Sequence, residues 1–239
     1  MRSRSPELCI ALDGSDRRWI LDAARSLGGS AAWLKIGLEA FVAHGPRLVR
    51  EVVELAPQVF LDLKLHDIPA TVRRAAANVA GCGARMVTVH AVGGRSMLEA
   101  AVEGAREGGA GSPPRVVAVT LLTSLDAAAL DELALPGPAE ATVERWARIA
   151  QRSGVDGVVA SAREAAAVRA ACGPDFLIVT PGLRSAGHQA DDQRRTATPA
   201  EAVRAGADIL VVGRPITGAA APLDAAQRIL EEMARAASE

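Results

Sequence analysis

A chain of 239 residues with 49% hydrophobic and 23% charged side chains can bury one substantial core, and α/β barrels of this size commonly stand as one domain, so residues 1–239 read as a single unit. Its 27 basic and 28 acidic side chains leave a formal net charge of −1, with no basic block, three Trp, three Phe and no Tyr; this excludes the footprint of a nucleic-acid binder and favours a small-molecule partner. Cys9, Cys82 and Cys172 are odd in number and far apart, as reduced core thiols of a cytoplasmic protein would be. The basic N-terminus lacks the apolar region of a signal peptide, and no stretch approaches the roughly 18 apolar residues of a membrane helix.

Along the chain, short apolar runs alternate with longer Ala-, Leu- and Arg-rich stretches of helical character. The runs are ELCIAL (7–12), AWLKIG (32–37), VFLDLK (59–64), RMVTVH (85–90), RVVAVTLL (115–122), DGVVAS (156–161), FLIVT (176–180) and DILVVG (208–213). Each is apolar nearly throughout, as parallel strands buried on both faces must be, and each is followed by enough chain for a crossover helix. Eight such units predict an α/β fold, a single-domain (β/α)8 TIM barrel. A helix from about Pro69 should close at Gly81–Gly83, and Thr198-Pro199-Ala200-Glu201 carries an N-cap, a first-turn proline and a capping-box glutamate. The irregular stretch 107–114 should join a helix to the next strand on the quiet face, whereas 124–138 and 182–195 follow strands five and seven and belong to the face where barrels hold their sites.

Polar residues then collect at the strand ends: Asp13, Lys35, Asp62, Lys64, His90 and Thr123-Ser124. Within FLDLKLHDIP (60–69), Asp62 and Lys64 are two apart, so strict alternation along a strand points both the same way. Asp67 lies past the strand end, free to return to the site or reach a neighbouring molecule. Two carboxylates around one amine are costly to bury without a purpose. Pro181-Gly182-Leu183-Arg184 and Gly213-Arg214 follow strands seven and eight, where barrels often hold a phosphate.

ALD (11–13), LKIG (34–37), FLDLKLHDIP (60–69), TVHA (88–91), LLTS (121–124), PGLR (181–184), Gln193 and VGRPI (212–216) together resemble the orotidine 5'-phosphate decarboxylase family in its bacterial form, in order and over nearly the whole chain. The resemblance implies conversion of orotidine 5'-monophosphate to uridine 5'-monophosphate and carbon dioxide in pyrimidine synthesis, with no metal or organic cofactor. It implies Lys64 as proton donor to C6, flanked by Asp62 and Asp67, with Lys35 and Asp13 at the ribose. Thr123 or Ser124 would read the pyrimidine, and Pro181, Arg184, Gln193, Gly213 and Arg214 would hold the phosphate. It further implies a homodimer in which Asp67, Ile68 and Thr71 enter the partner's site.

Simpler readings compete. Asp62 and Lys64 could form a structural ion pair, although burying such a pair seldom stabilises a fold. His90 either meets substrate or caps backbone; His66 reads as structural, His44 and His188 as exposed, and no histidine pair has metal-ligand spacing. Arg184 could be a surface charge, as Arg194 and Arg195 read. Two rival functions remain: a metal-dependent sugar-phosphate lyase or decarboxylase of the same barrel group, for which Glu39 is the nearest acidic ligand but one turn too far along, and a non-catalytic nucleotide-binding dimer.

Overall fold

The computed structural model describes residues 5–56, 58–109, 111–135, 137–183 and 197–239. Eight parallel strands close on themselves in sequence order: β1 (Glu7–Leu12), β2 (Trp33–Gly37), β3 (Val59–Leu65), β4 (Met86–His90), β5 (Arg115–Val119), β6 (Gly157–Val159), β7 (Leu177–Thr180) and β8 (Ile209–Val212), with β8 pairing back onto β1. Helices follow the strands, as the alternating sequence predicts.

Period-two alternation sorts every strand between two cores. Outward-facing Leu8, Ile10, Leu12, Leu34, Ile36, Val87 and Val89 pack under the helices in the larger core. Inward-facing Cys9, Ala11, Trp33, Phe60, Met86, Val117, Val179, Ile209 and Val211 fill the barrel. Large Trp33 and Phe60 stand against small Cys9 and Ala11, and a side chain such as Phe60 contributes up to ~3 kcal/mol on burial. The floor is sealed by Trp33, whose indole Nε1 donates to Glu7 at 2.6 Å while the Arg115 guanidinium lies 5.6 Å from its ring centre. With bulk at the floor, the inward positions at the opposite mouth are left for polar groups.

The floor side is also tied by charged side chains. Arg169, on the Ala162–Cys172 helix, donates to the carbonyls of Gly173, Pro174, Phe176 and Gly206 and pairs with Asp208 at 2.5 Å. Asp208 in turn accepts the Ile178 N–H at 2.8 Å, and Asp156 accepts that of Val116 at 2.7 Å. These bonds satisfy backbone carbonyls and N–H groups around the strand starts, the stability face of such barrels.

The helix expected from Pro69 runs Pro69–Ala80 and is capped by Gly81. The capping box is formed: Thr198 Oγ1 accepts from Glu201 N at 3.2 Å and Glu201 Oε2 from Thr198 N at 2.7 Å. Two expectations need correction. Strand five ends at Val119, not 122; just past it, the N–H and hydroxyl of Thr120 both donate to the Val159 carbonyl. The 124–138 stretch contains a short helix, Ala127–Glu132, started by the Asp126 carboxylate accepting the Ala129 N–H. Most of 182–195 lies outside the described residues. Among the described residues no helix is long and apolar enough to cross a membrane.

Candidate active site

A cavity of about 940 Å³ opens at the carboxyl ends of the strands. Nine of the residues singled out from sequence line it: Asp13, Lys35, Asp62, Lys64, Thr123, Ser124, Pro181, Gly213 and Arg214. Phe60, Val159, Val179 and Val211 supply its apolar base, and Glu39 also reaches its wall, closer than the sequence suggested. Among the described residues no group of three or more His, Cys, Asp or Glu is placed to hold a metal.

Four of these side chains form a ladder of alternating charge across the first three strands. The Lys35 ammonium donates to Asp13 at 2.7 Å and lies 3.8 Å from Asp62; the Lys64 ammonium donates to Asp62 at 2.8 Å. The middle of the ladder is the drier part, with the side chains of Lys35 and Asp62 only 9% and 15% exposed against 60% for Asp13. Register brings them together, since Ala11 pairs with Lys35 and Gly37 with Asp62. Gly37 occupies the inward slot above Lys35, where a Cβ would sit 2.9 Å from Asp13 Oδ1 and 3.2 Å from Lys35 Nζ and would crowd their contact.

The ladder holds its own charges. Burial works against the Lys35 ammonium, but the Asp13 and Asp62 carboxylates keep its pKa above the ordinary lysine value. Burial likewise pushes Asp62 upward, yet Lys35, Lys64 and the Thr88 hydroxyl hold its carboxyl below the usual carboxylate range.

Asp62 and Lys64 both face the cavity, as their spacing predicts, but the pairing of β3 with β4 is irregular. Leu61 pairs with Val87 and Leu65 with Val89, so Asp62, Leu63 and Lys64 face Thr88 alone. This is a bulge, and within it Lys64 adopts φ 53°, a left-handed conformation that costs a side chain-bearing residue about 1–2 kcal/mol. Thr88, fully buried on β4, accepts the Lys64 N–H at 2.8 Å and donates to Asp62 at 2.9 Å. Thr88 and Gly37 shape this arrangement, and sequence reasoning passed over both. Both lay inside matched pieces, TVHA and LKIG, but the register that gives them a role is not a property of composition.

Asp67, Ile68, Thr71 and His90 do not line the cavity. Asp67 is exposed and accepts the Ile68 N–H at 2.6 Å; Ile68 is 65% exposed, and its carbonyl receives Thr71 N at 3.0 Å as the Pro69–Ala80 helix begins. None of the three lines the cavity of its own chain. His90 packs against His66, ring centres 5.6 Å apart, and burial, then His66 and Lys64, lowers its pKa and favours the neutral ring. Arg184 and Gln193 lie outside the described residues; Leu183, on the cavity wall, bridges to Ala197.

A closed parallel barrel with a self-ionised lysine–aspartate ladder at its carboxyl mouth has the make-up of a (β/α)8 enzyme. Residues 6–229 match the family model described as orotidine 5'-phosphate decarboxylase / HUMPS family. The chain is 53% identical to a protein named orotidine 5'-phosphate decarboxylase from Anaeromyxobacter sp. (strain K), covering 94% of this chain and 97% of that one. It is 49% identical to one of the same name from Heliobacterium modesticaldum, covering 95% of each. The crystal structure of orotidine 5'-phosphate decarboxylase from Lactobacillus acidophilus superposes with a TM-score of 0.84 at 35% identity, covering 96% of this chain and 99% of that chain. The chain therefore belongs to the orotidine 5'-phosphate decarboxylase / HUMPS family, and its near relatives place it among the carboxy-lyases of that family.

Because the folded pKa of Asp62 is lowered, its ionisation adds stability above the ordinary carboxylate value of about 3.9, and that stability is lost as pH falls through the folded value. Asp62→Asn should therefore lie below wild type in urea midpoint by a constant gap from pH 7 to about pH 4, with the gap narrowing below that. A gap unchanged at pH 3 would mean that the Asp62 charge is not what the fold holds.

Proposed function

We propose that the protein decarboxylates orotidine 5'-monophosphate to uridine 5'-monophosphate and carbon dioxide, as a step in pyrimidine synthesis, with Lys64 as the acid. The observation that carries this reading is the Lys64 ammonium on the cavity wall, 2.8 Å from Asp62. In the reaction the bond between C6 and the carboxyl carbon breaks, its electron pair stays on C6, and a proton from Lys64 forms the new C6–H bond. That pair has no conjugated sink, so an adjacent ammonium both stabilises it and quenches it. Asp62 keeps the amine charged and stands where the substrate carboxylate must lie. Two like charges about 4 Å apart repel by about 4 kcal/mol at an effective dielectric of 20, and the repulsion vanishes with carbon dioxide.

Enzymes lower barriers by roughly 8–23 kcal/mol, so this contact supplies only part of what is needed. Binding of the distal phosphate supplies more, by ordering and desolvating the reacting end. Arg214 and Gly213 at the end of β8, with Pro181, Arg184 and Gln193 after β7, are the proposed grip; Asp13 and Lys35 hold the ribose, and Thr123 or Ser124 reads the base. Buried free Cys9, Cys82 and Cys172 support a cytoplasmic setting.

We also propose a homodimer. Asp67, Ile68 and Thr71 sit on the rim outside their own chain's cavity, and the large exposed Ile68 is apolar surface suited to a second copy. In that assembly each Asp67 completes the charge ladder of the neighbouring subunit.

The direct test is loss of orotate absorbance when the protein, in EDTA-containing buffer, meets orotidine 5'-monophosphate. Wild type should turn over, and Lys64→Ala should fall by at least about 10³-fold in kcat. An inert wild type would refute the decarboxylase reading. Shared sites have their own test in subunit mixing. Asp67→Ala and Lys64→Ala proteins, each inactive alone, should recover about a quarter of wild-type activity when unfolded and refolded together, since half of the dimers are mixed and each has one intact site. No recovery would place the whole site within single subunits.

A further inference from the structure

We propose that Thr88 is a positioning residue for the reaction, the clasp that sets both the Asp62 carboxylate and the Lys64 backbone in their working places. The inference rests on the decarboxylation proposed above and extends it to a residue that does not touch the substrate.

Thr88 is fully buried, faces the barrel interior one step above Met86, and does not line the cavity. Its hydroxyl bonds the two members of the ladder that do the chemistry. One lone pair accepts the Lys64 N–H at 2.8 Å, and the O–H donates to Asp62 Oδ1 at 2.9 Å. A hydroxyl can do both at once because it carries one donor and two acceptor sites. A valine of the same shape could do neither, and asparagine or glutamine would need more room than a fully packed position gives.

The bulge explains why such a clasp is needed here. Three residues of β3 face Thr88 alone, so ladder pairing between β3 and β4 is interrupted over the residues that carry Asp62 and Lys64. Lys64 sits at φ 53°, a conformation that persists only when its surroundings fix it. The Thr88 hydroxyl is the group opposite the bulge that binds its backbone. The same oxygen orients Asp62 by holding Oδ1, which leaves Oδ2 aimed at Lys64 Nζ at 2.8 Å and at Lys35 Nζ at 3.8 Å. Thr88 thus divides the carboxylate: one oxygen is held by the wall and the other serves the two ammonium groups.

The test compares Thr88→Val and Thr88→Ala, which remove the hydroxyl with and without the methyl groups, against Thr88→Ser, which keeps it. The first readout needs no substrate: hydrogen exchange of the Lys64 amide by NMR should speed up at least tenfold in Thr88→Val and Thr88→Ala, with Leu61 and Val89 amides unchanged, and stay near wild type in Thr88→Ser. The second is kinetic: with orotidine 5'-monophosphate, kcat should fall at least tenfold in the two hydroxyl-free variants while KM moves less than threefold, and Thr88→Ser should keep kcat within about threefold. Unchanged Lys64 exchange in both hydroxyl-free variants would overturn the proposal, as would a Thr88→Ser protein as slow as Thr88→Val. If wild type fails to turn over, it is the decarboxylase reading that falls, and the exchange experiment still decides whether Thr88 clasps the bulge.

Discussion

The mouth of this barrel depends on keeping one carboxylate ionised where water barely reaches it. Taking a carboxylate out of water costs several kcal/mol even after the surroundings relax. Asp62 meets that cost with two ammonium groups and a hydroxyl, each within 4 Å. Everything nearby follows from that arrangement. Lys35 must be buried to reach Asp62, so it needs Asp13 on its other side; Gly37, without a side chain, leaves their contact uncrowded. A ladder built in this way is internally neutralised, and it holds the ammonium of Lys64 in place before any substrate arrives.

The second constraint is geometric. A regular β3 would carry the chain past the mouth at the spacing of the sheet; the bulge interrupts that spacing and lets the backbone at Lys64 take a left-handed turn. The strain this introduces is local and is met by the neighbouring strand. On the opposite face of the barrel the design is reversed: Arg169, Asp208 and Asp156 direct their charges to backbone groups at the strand starts, away from the cavity at the other mouth. Stability and chemistry occupy different ends of the same strands.

Much of this was legible in the sequence, for identifiable reasons. Parallel strands buried on both faces are apolar throughout, so all eight runs stood out against the helices between them, and the Thr198–Glu201 capping box marks its helix start by local chemistry alone. Asp13, Lys35, Asp62 and Lys64 were found because charge at the end of an apolar strand is conspicuous. Thr88 and Gly37 were not, because a buried threonine in a β-rich run and a glycine at a strand end are ordinary there; only the register that sets them against Asp62, Lys64, Asp13 and Lys35 makes them special. The early end of β5 was hidden by the apolar Leu121-Leu122 that continue the run past Val119. Asp67, Ile68 and Thr71 were placed at the site by family resemblance, and the single chain leaves them on its rim.

The central claim is that the ladder works as one unit and not as two adjacent ion pairs. Lys35 and Lys64 are the place to measure it, since they are joined through Asp62. Single-turnover decarboxylation with Lys35→Ala, Lys64→Ala and the double variant, enzyme in excess, closes the cycle. If the ladder acts as a unit, the double variant should be no more than about tenfold slower than the slower single one, since groups that work together are lost together. Losses that simply multiply would show two independent lysines, and the ladder would then be a row of neighbours.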